Sequence, residues 1–367
     1  MNIGIYLGNQ SPNAGGGYSL TETIKTEILK YDGKHNLFVF YSSISANIKF
    51  FKNNITYINL WPNRIKRIFS NYIFNKNGID LMFFLFPVKV KCNIPFIFTV
   101  WDLGHRMLPN FPETSHNGQF EKRERMYQYM LPRATYVLTG NETGKKEILA
   151  NYSINAEKII IAPFPVTDFC LKKTDVPHKI DFITEPFVFY PAQFWTHKNH
   201  VAIIKAINYL KTEKNIKINC YFAGSDQGNL ENVKNRIKDN DLDEQIKVLG
   251  FVDYETLMYL YKNALAMVYV SLLGPNNLPP LEAAALGCPL IISNIPGHIE
   301  QMEGTGLLVN PFEPGDIGEA ILKIYNQPEF RNNMIAKGLS FAEKFKTYSY
   351  LQKVLKIVEQ YEVRVFR

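Results

Sequence analysis

The chain has 367 residues, 46% of them hydrophobic and 20% charged, with a net charge of +7. That length favours two domains over one core, and the composition is that of an ordinary globular protein. No run of 18 or more apolar residues appears, so no membrane-spanning helix is expected, and the positive balance, without an RNA-binding signature or zinc-finger spacing, sets nucleic acid behind phosphorylated ligands and an anionic membrane surface.

Met1 to Gly8 reads as a first strand with no basic leader, so a cytoplasmic protein is expected. The loop Asn9 to Gly17 ends in Gly15-Gly16-Gly17, and helical spacing follows from Tyr18 to Tyr31. Glycines there let backbone approach a ligand, and the following helix N-terminus adds positive potential. The pattern is not Gly-x-Gly-x-x-Gly, so a nicotinamide cofactor is weakly supported, and a flexible turn is the plainer alternative.

Short apolar runs at Leu37–Tyr41, Ile55–Leu60, Leu81–Phe86, Phe96–Val100, Tyr136–Thr139 and Ile159–Ala162 read as buried strands. Gln119 to Met130 and Glu142 to Asn151 read as helices between them. From Trp61 to Phe74, basic residues alternate with aromatic and aliphatic ones at near-helical spacing. That stretch is either an amphipathic helix with a solvated basic face or an element that lies on the inner membrane surface or meets a lipid acceptor.

The polar stretch Lys172 to Glu185 fits a linker, after which the alternation restarts. Strands are expected at Phe187–Tyr190, Ile218–Ala223, Ile246–Gly250, Ala266–Val270, Leu290–Ser293 and Gly306–Val309. Helices are expected at Asn199–Lys211, Gly228–Asn240, Tyr254–Asn263, Pro280–Leu286, Pro314–Tyr325 and Pro328–Lys344, with a last amphipathic stretch from Tyr348 to about Val363. Continuous apolar strands alternating with helices give an α/β fold of two Rossmann-like, doubly wound domains facing each other across a cleft. The expected division is 1–170 and 171–347, with 348–367 packing back on the first. Cys92, Cys170, Cys220 and Cys288 have no metal-ligand spacing and read as buried free thiols.

The most informative stretch is Gly274-Pro275-Asn276-Asn277-Leu278-Pro279-Pro280-Leu281-Glu282-Ala283. A polar loop follows an apolar strand, two prolines suit a first helical turn, and Gly287 suits a left-handed helix end. Glu282 reads as a first-turn carboxylate. It is either a favourable charge at the dipole or a partner for hydroxyls such as those of a ribose.

Leu278-Pro279-Pro280-Leu281-Glu282-Ala283 with Gly287-x-Pro289 resembles the signature of retaining GT-B nucleotide-sugar glycosyltransferases of family four, the glycosyl transferases group 1. That signature is Glu, seven residues, Glu, around a Gly-Leu-Pro-x-Leu-Glu-Ala core. Here Gly274 stands in place of the first Glu, and Asn277 in place of the Gly. Ala192-Gln193-Phe194-Trp195-Thr196-His197-Lys198-Asn199 is similar to the family's Gly-Arg-x-x-x-x-Lys-Asn, with Gln193 replacing the Arg. Trp101-Asp102-Leu103-Gly104-His105 resembles the family's His-Asp strand end, with Trp101 at the His position.

The resemblance implies transfer of a hexose, of mannose or glucose type, from a nucleotide-diphosphate sugar to a saccharide or lipid-linked glycan in cell-surface polysaccharide synthesis. It implies no metal and no cofactor. Asp102, His105 and Lys198 are the expected catalytic residues. Gly16, Gly17, Gln193, Lys198, Asn199, Phe251, Asn276, Asn277, Leu278 and Glu282 are the expected donor-binding ones. Arg106 is a further phosphate candidate. The rival readings are a non-catalytic relative that binds a nucleotide sugar or a partner transferase, which Gln193 and Gly274 favour, and a sugar-nucleotide epimerase.

Overall fold

The computed structural model describes residues 1–8, 10–41, 54–59, 70–171, 180–181, 183–346 and 348–366. Seven strands form the first sheet: β1 (Asn2–Tyr6), β2 (Asn36–Tyr41), β3 (Ile55–Asn59), β4 (Leu81–Phe84), β5 (Phe96–Thr99), β6 (Tyr136–Thr139) and β7 (Ile159–Ile161). Six form the second: β8 (Phe187–Pro191), β9 (Asn219–Ala223), β10 (Ile246–Gly250), β11 (Ala266–Tyr269), β12 (Leu290–Ser293) and β13 (Leu307–Val309). The orders are β3-β2-β1-β4-β5-β6-β7 and β10-β9-β8-β11-β12-β13, and every pairing is parallel. Helices cover both faces, so β4, β5, β6, β9, β11 and β12 are buried at every residue, as their unbroken apolar runs require.

In both sheets the chain first winds outward and then returns past its starting strand. Ile3 of β1 lies between Leu37 and Leu81, and Val188 of β8 between Cys220 and Ala266. The winding direction therefore reverses between β1 and β4 and between β8 and β11. Loops at the carboxyl ends of such strands diverge and leave a crevice for a ligand.

The helix after β1 spans Gly16–Lys30, starting inside the glycine run without a side-chain cap. The helix after β11 spans Leu278–Ala285 with Asn277 as N-cap, two residues earlier than the prolines suggest. Pro279 and Pro280 still fall in its first turn, where an N–H has no intrahelical partner. Glu282 is consequently in the second turn, which corrects its expected first-turn position. Short helices at Gly104–Met107, Pro112–Ser115 and Pro296–Met302 carry too few turns for a periodic signal. All four cysteines are free, but only Cys220 and Cys288 are buried; Cys92 and Cys170 are half-buried. The basic-aromatic stretch falls largely on residues 61–69, outside the described residues, as does most of the polar stretch 172–185.

The helix Tyr350–Phe366 returns to the first sheet. Its first backbone N–H groups, Tyr350 and Leu351, donate to the Glu27 carboxylate at 3.1 and 2.7 Å. Tyr350 is fully buried beside Phe83 and Trp101, with ring centroids 6.4 and 6.1 Å away. Polar contacts join the halves. The Glu300 carboxylate accepts from the N–H groups of Glu142 and Thr143 at 2.6 and 2.8 Å, capping the helix Glu142–Asn151 from the opposite half. Asn141 Nδ2 donates to the Pro275 carbonyl. Glu113 accepts from the His197 backbone N–H at 2.9 Å and lies 2.5 Å from its Nδ1.

Candidate active site

A cavity of about 520 Å³ lies where the two switch points face each other. The loop after β1 and the start of helix Gly16–Lys30 form one wall. The loops after β8, β9, β10 and β11 form the other, and the aromatic rings of Phe86, Trp101 and Phe164 close an end. Gly16, Gly17, Gln193, Lys198, Phe251, Asn276, Asn277, Leu278 and Glu282 all line it. Two helix N-termini without side-chain caps, at Gly16 and Leu278, open onto this space. Their dipoles make it favourable for anions.

Lys198 is the cation of the cavity. Its Nζ donates to Tyr269 OH at 2.8 Å, and lies 3.3 Å from Asn277 Oδ1 and 3.5 Å from Ser271 Oγ. These partners are neutral, and among the described residues no carboxylate pairs with it within salt-bridge distance. Burial lowers its pKa to about 8, against the more distant fields of Asp102 and Glu113. A desolvated ammonium with only neutral partners gains most from an incoming anion. Asn277 is locked behind it. Oδ1 accepts from Tyr269 OH at 2.8 Å, and its amide sits 3.0 Å from His298 Nε2. Its backbone N–H and carbonyl both bond the Gln301 amide, at 3.0 and 2.6 Å. Burial lowers the His298 pKa to about 3, so the ring is neutral and its Nε2 accepts.

Glu282 lies at the floor, 5% exposed. Its Oε1 accepts from Thr167 Oγ1 at 3.0 Å and its Oε2 from Tyr261 OH at 2.8 Å. Burial raises its pKa to about 7, with those two hydrogen bonds pulling the other way. At the mouth, Phe251 and Tyr254 expose their rings, the latter stacked on Phe169 at 4.8 Å.

Gly274 sits at φ +125°, and a Cβ there would lie 2.4 Å from Asn277 Nδ2. The position favours glycine both by backbone angle and by space. Gln193 is already engaged. Its Nε2 donates to the Asn13 carbonyl at 2.6 Å and to Ser225 Oγ at 3.1 Å, while its Oε1 accepts from Trp195 Nε1 at 3.2 Å. It ties the glycine loop of the first half to the second half.

Four expected residues lie elsewhere. Asp102 does not line the cavity; its Oδ1 accepts from Gly104 N–H at 2.7 Å and Arg123 at 2.6 Å. His105 is fully buried, stacked on Tyr127, with Nε2 3.2 Å from Tyr152 OH and 3.3 Å from Glu124. Burial lowers its pKa to about 4, helped by the Arg123 charge. Arg106 is taken by Glu124 in a two-pronged pair at 2.8 and 2.5 Å. Asn199, at φ +59°, donates to the Val270 and Pro311 carbonyls at 3.3 and 2.8 Å, so it braces the loop after β11 instead of facing the cavity. Sequence reasoning missed Tyr269, Thr167 and Tyr261. Tyr269 was visible only as a strand residue, and the other two reach Glu282 from 115 and 21 residues away.

Among the described residues no group of three or more His, Cys, Asp or Glu converges as metal ligands, and no helix is long and apolar enough to cross a membrane.

Residues 174–341 match the family described as Glycosyl transferases group 1. The O-antigen chain mannosyltransferase RfbU of Salmonella typhimurium is 29% identical over 210 residues, 56% of this chain and 56% of that protein. The O-antigen chain mannosyltransferase B of Escherichia coli is 23% identical over 239 residues, 64% of this chain and 63% of that protein. The chain thus matches under two thirds of the length of these curated relatives. Among solved structures, Anabaena HepE in complex with UDP and glucose superposes with a TM-score of 0.73 over 99% of this chain and 100% of that one, at 14% identity. At that identity the likeness bears on the fold.

Proposed function

We propose that this protein is a retaining, metal-independent hexosyltransferase that uses a nucleoside-diphosphate sugar, a reading supported by the match of residues 174–341 to the glycosyl transferases group 1 family and by the GT-B fold of both halves. The observation that carries the reading is Lys198, a half-buried ammonium with neutral partners, facing a cavity onto which two uncapped helix N-termini open. In this reading the diphosphate lies against Lys198 and the Gly16–Gly17 backbone. Glu282 accepts from the ribose, and the base rests at Phe251 and Tyr254. Asn276, whose buried Nδ2 has no protein partner, holds the hexose hydroxyls, the work a carboxylate would do at position 274.

The chemistry follows from that placement. The bond between the anomeric carbon and the diphosphate oxygen breaks, while the acceptor oxygen forms its bond on the same face. The acceptor's proton passes to the departing phosphate oxygen, so no enzymic nucleophile or base is needed. Lys198 and the helix termini stabilise the negative charge that develops on the leaving group, and a preset donor of this kind lowers the barrier without reorganising. Asp102, His105 and Asn199 take no part in this scheme. The named relatives, both mannosyltransferases of O-antigen chains, favour mannose on the donor and a saccharide or lipid-linked glycan as acceptor. Cytoplasmic placement with peripheral contact at the inner membrane surface belongs to the same proposal, and co-sedimentation with anionic vesicles tests it.

The deciding experiment measures thermal shift with UDP, GDP and ADP, followed by release of nucleoside diphosphate from the matching mannose and glucose donors. A ligand that binds only the folded state raises its apparent stability. No stabilisation by any of the three would sink the reading.

A further inference from the structure

The Glu282 carboxylate is gripped from two directions. Tyr261, fully buried on the helix Tyr254–Asn263, donates to Oε2 from within the second half. Thr167, 1% exposed, donates to Oε1 from the segment that leaves β7 on its way to the second sheet. Thr167 Oγ1 also lies 3.3 Å from Cys170 Sγ. Each carboxylate oxygen accepts one protein hydrogen bond and keeps capacity for another, so a ligand with two adjacent hydroxyls can be met by both.

We propose that Thr167 is a positioning residue of the donor site: its hydroxyl keeps Glu282 ionised and aimed at a vicinal diol such as that of a ribose. The inference rests on the functional reading above and goes beyond it by assigning a role to a residue outside the matched region. A buried carboxylate with no cation beside it needs hydrogen-bond donors to stay charged. The titratable groups facing Glu282 are Cys170, Tyr254, Tyr261 and Tyr269. Burial raises the pKa of each, so all four stay neutral near neutral pH. Glu282 itself is raised to about 7 by burial, and Thr167 is one of the two groups that pull it down. Removing that hydroxyl raises the carboxyl further, and a protonated carboxyl is the poorer acceptor.

The test is calorimetric titration of the full chain with UDP and GDP from pH 6 to pH 9, for wild type, Thr167→Val and Thr167→Ser. Titration of the ligand phosphate and of Lys198 is common to all three, so it cancels in the ratio of variant to wild-type Kd. The ratio for Thr167→Val should be about tenfold at pH 6, the order expected for one lost hydrogen bond to a charged group, and should fall severalfold by pH 9, where Glu282 is ionised in both proteins and only the loss of aim remains. Thr167→Ser, which keeps the hydroxyl, should restore the wild-type profile. A ratio that is constant with pH overturns the inference, whether it is one throughout or raised throughout, because a packing role would weaken binding equally at every pH. Should Thr167→Val fail to fold, Thr167→Ala carries the same comparison. Wild-type protein that binds neither nucleotide at any pH overturns the functional reading and this inference together; binding with a flat ratio overturns this inference alone.

Discussion

Glu282→Gln should make the protein more stable at alkaline pH while removing its nucleotide site. The folded protein holds the Glu282 proton more tightly than an unfolded chain does, since burial raises the pKa from 4.5 to about 7. The stabilising contribution of that bound proton is complete below pH 4.5 and is lost as pH rises through about 7. At about 1.4 kcal/mol per pH unit, the loss is on the order of 3 kcal/mol. Glutamine mimics the protonated acid: one oxygen accepts, one nitrogen donates, and the Thr167 and Tyr261 hydroxyls can turn to suit. The variant should therefore match wild type at pH 5 and exceed it by up to about 3 kcal/mol at pH 8.5. Urea unfolding of both proteins, without ligand, at the two pH values reads this directly, because every other titrating group is common to both. A difference in unfolding free energy that is equal at pH 5 and pH 8.5 would refute the reasoning. The same variant should bind the nucleoside diphosphate more weakly, so gained stability and lost function would come from one atom exchange.

Lys198→Ala should lower turnover by roughly ten- to a thousandfold, the range for removing one preset charge stabiliser; near wild-type kinetics would move the phosphate grip elsewhere. Because burial brings the Lys198 pKa to about 8, nucleoside-diphosphate affinity of the wild type should fall as pH rises through and beyond that value. Lys198→Ala should lack that alkaline limb in a titration series. Gly274→Glu, although it restores the first Glu of the signature that this stretch resembles, should lower both activity and stability, the latter by about 1–3 kcal/mol. Its Cβ would press on the Asn277 amide from a left-handed backbone. An active, equally stable variant would show that the turn can rebuild itself.

The strands were legible because fully buried parallel strands need unbroken apolar runs, and Phe187, Ala266 and Leu290 begin such runs. Apart from Phe251, the expected cavity residues on the second half cluster in two short stretches, 193–198 and 274–282, each directly after a strand at the switch point, which made them legible. Asp102 and His105 sit at a comparable strand end yet turn away. Proximity along the chain says nothing about what a neighbouring helix offers, and Arg123 and Glu124 on the helix Gln119–Met130 capture them. Gln193 lines the cavity, and its amide also serves Asn13, 180 residues earlier. Contacts of that span leave no periodicity or spacing to read.

The return of the helix Tyr350–Phe366 onto the first sheet has a consequence for the protein's synthesis. Glu27 and Tyr350, whose carboxylate and backbone N–H meet in a hydrogen bond, are 323 residues apart. At the ribosome's pace of about 5–20 residues per second, the helix arrives roughly 15–65 s after Glu27. Until then Phe83 and the face of Trp101 that Tyr350 later covers stand open. The half of the protein that is made first is thus the half that is sealed last. Its nascent form carries an open aromatic face until the last helix closes over it.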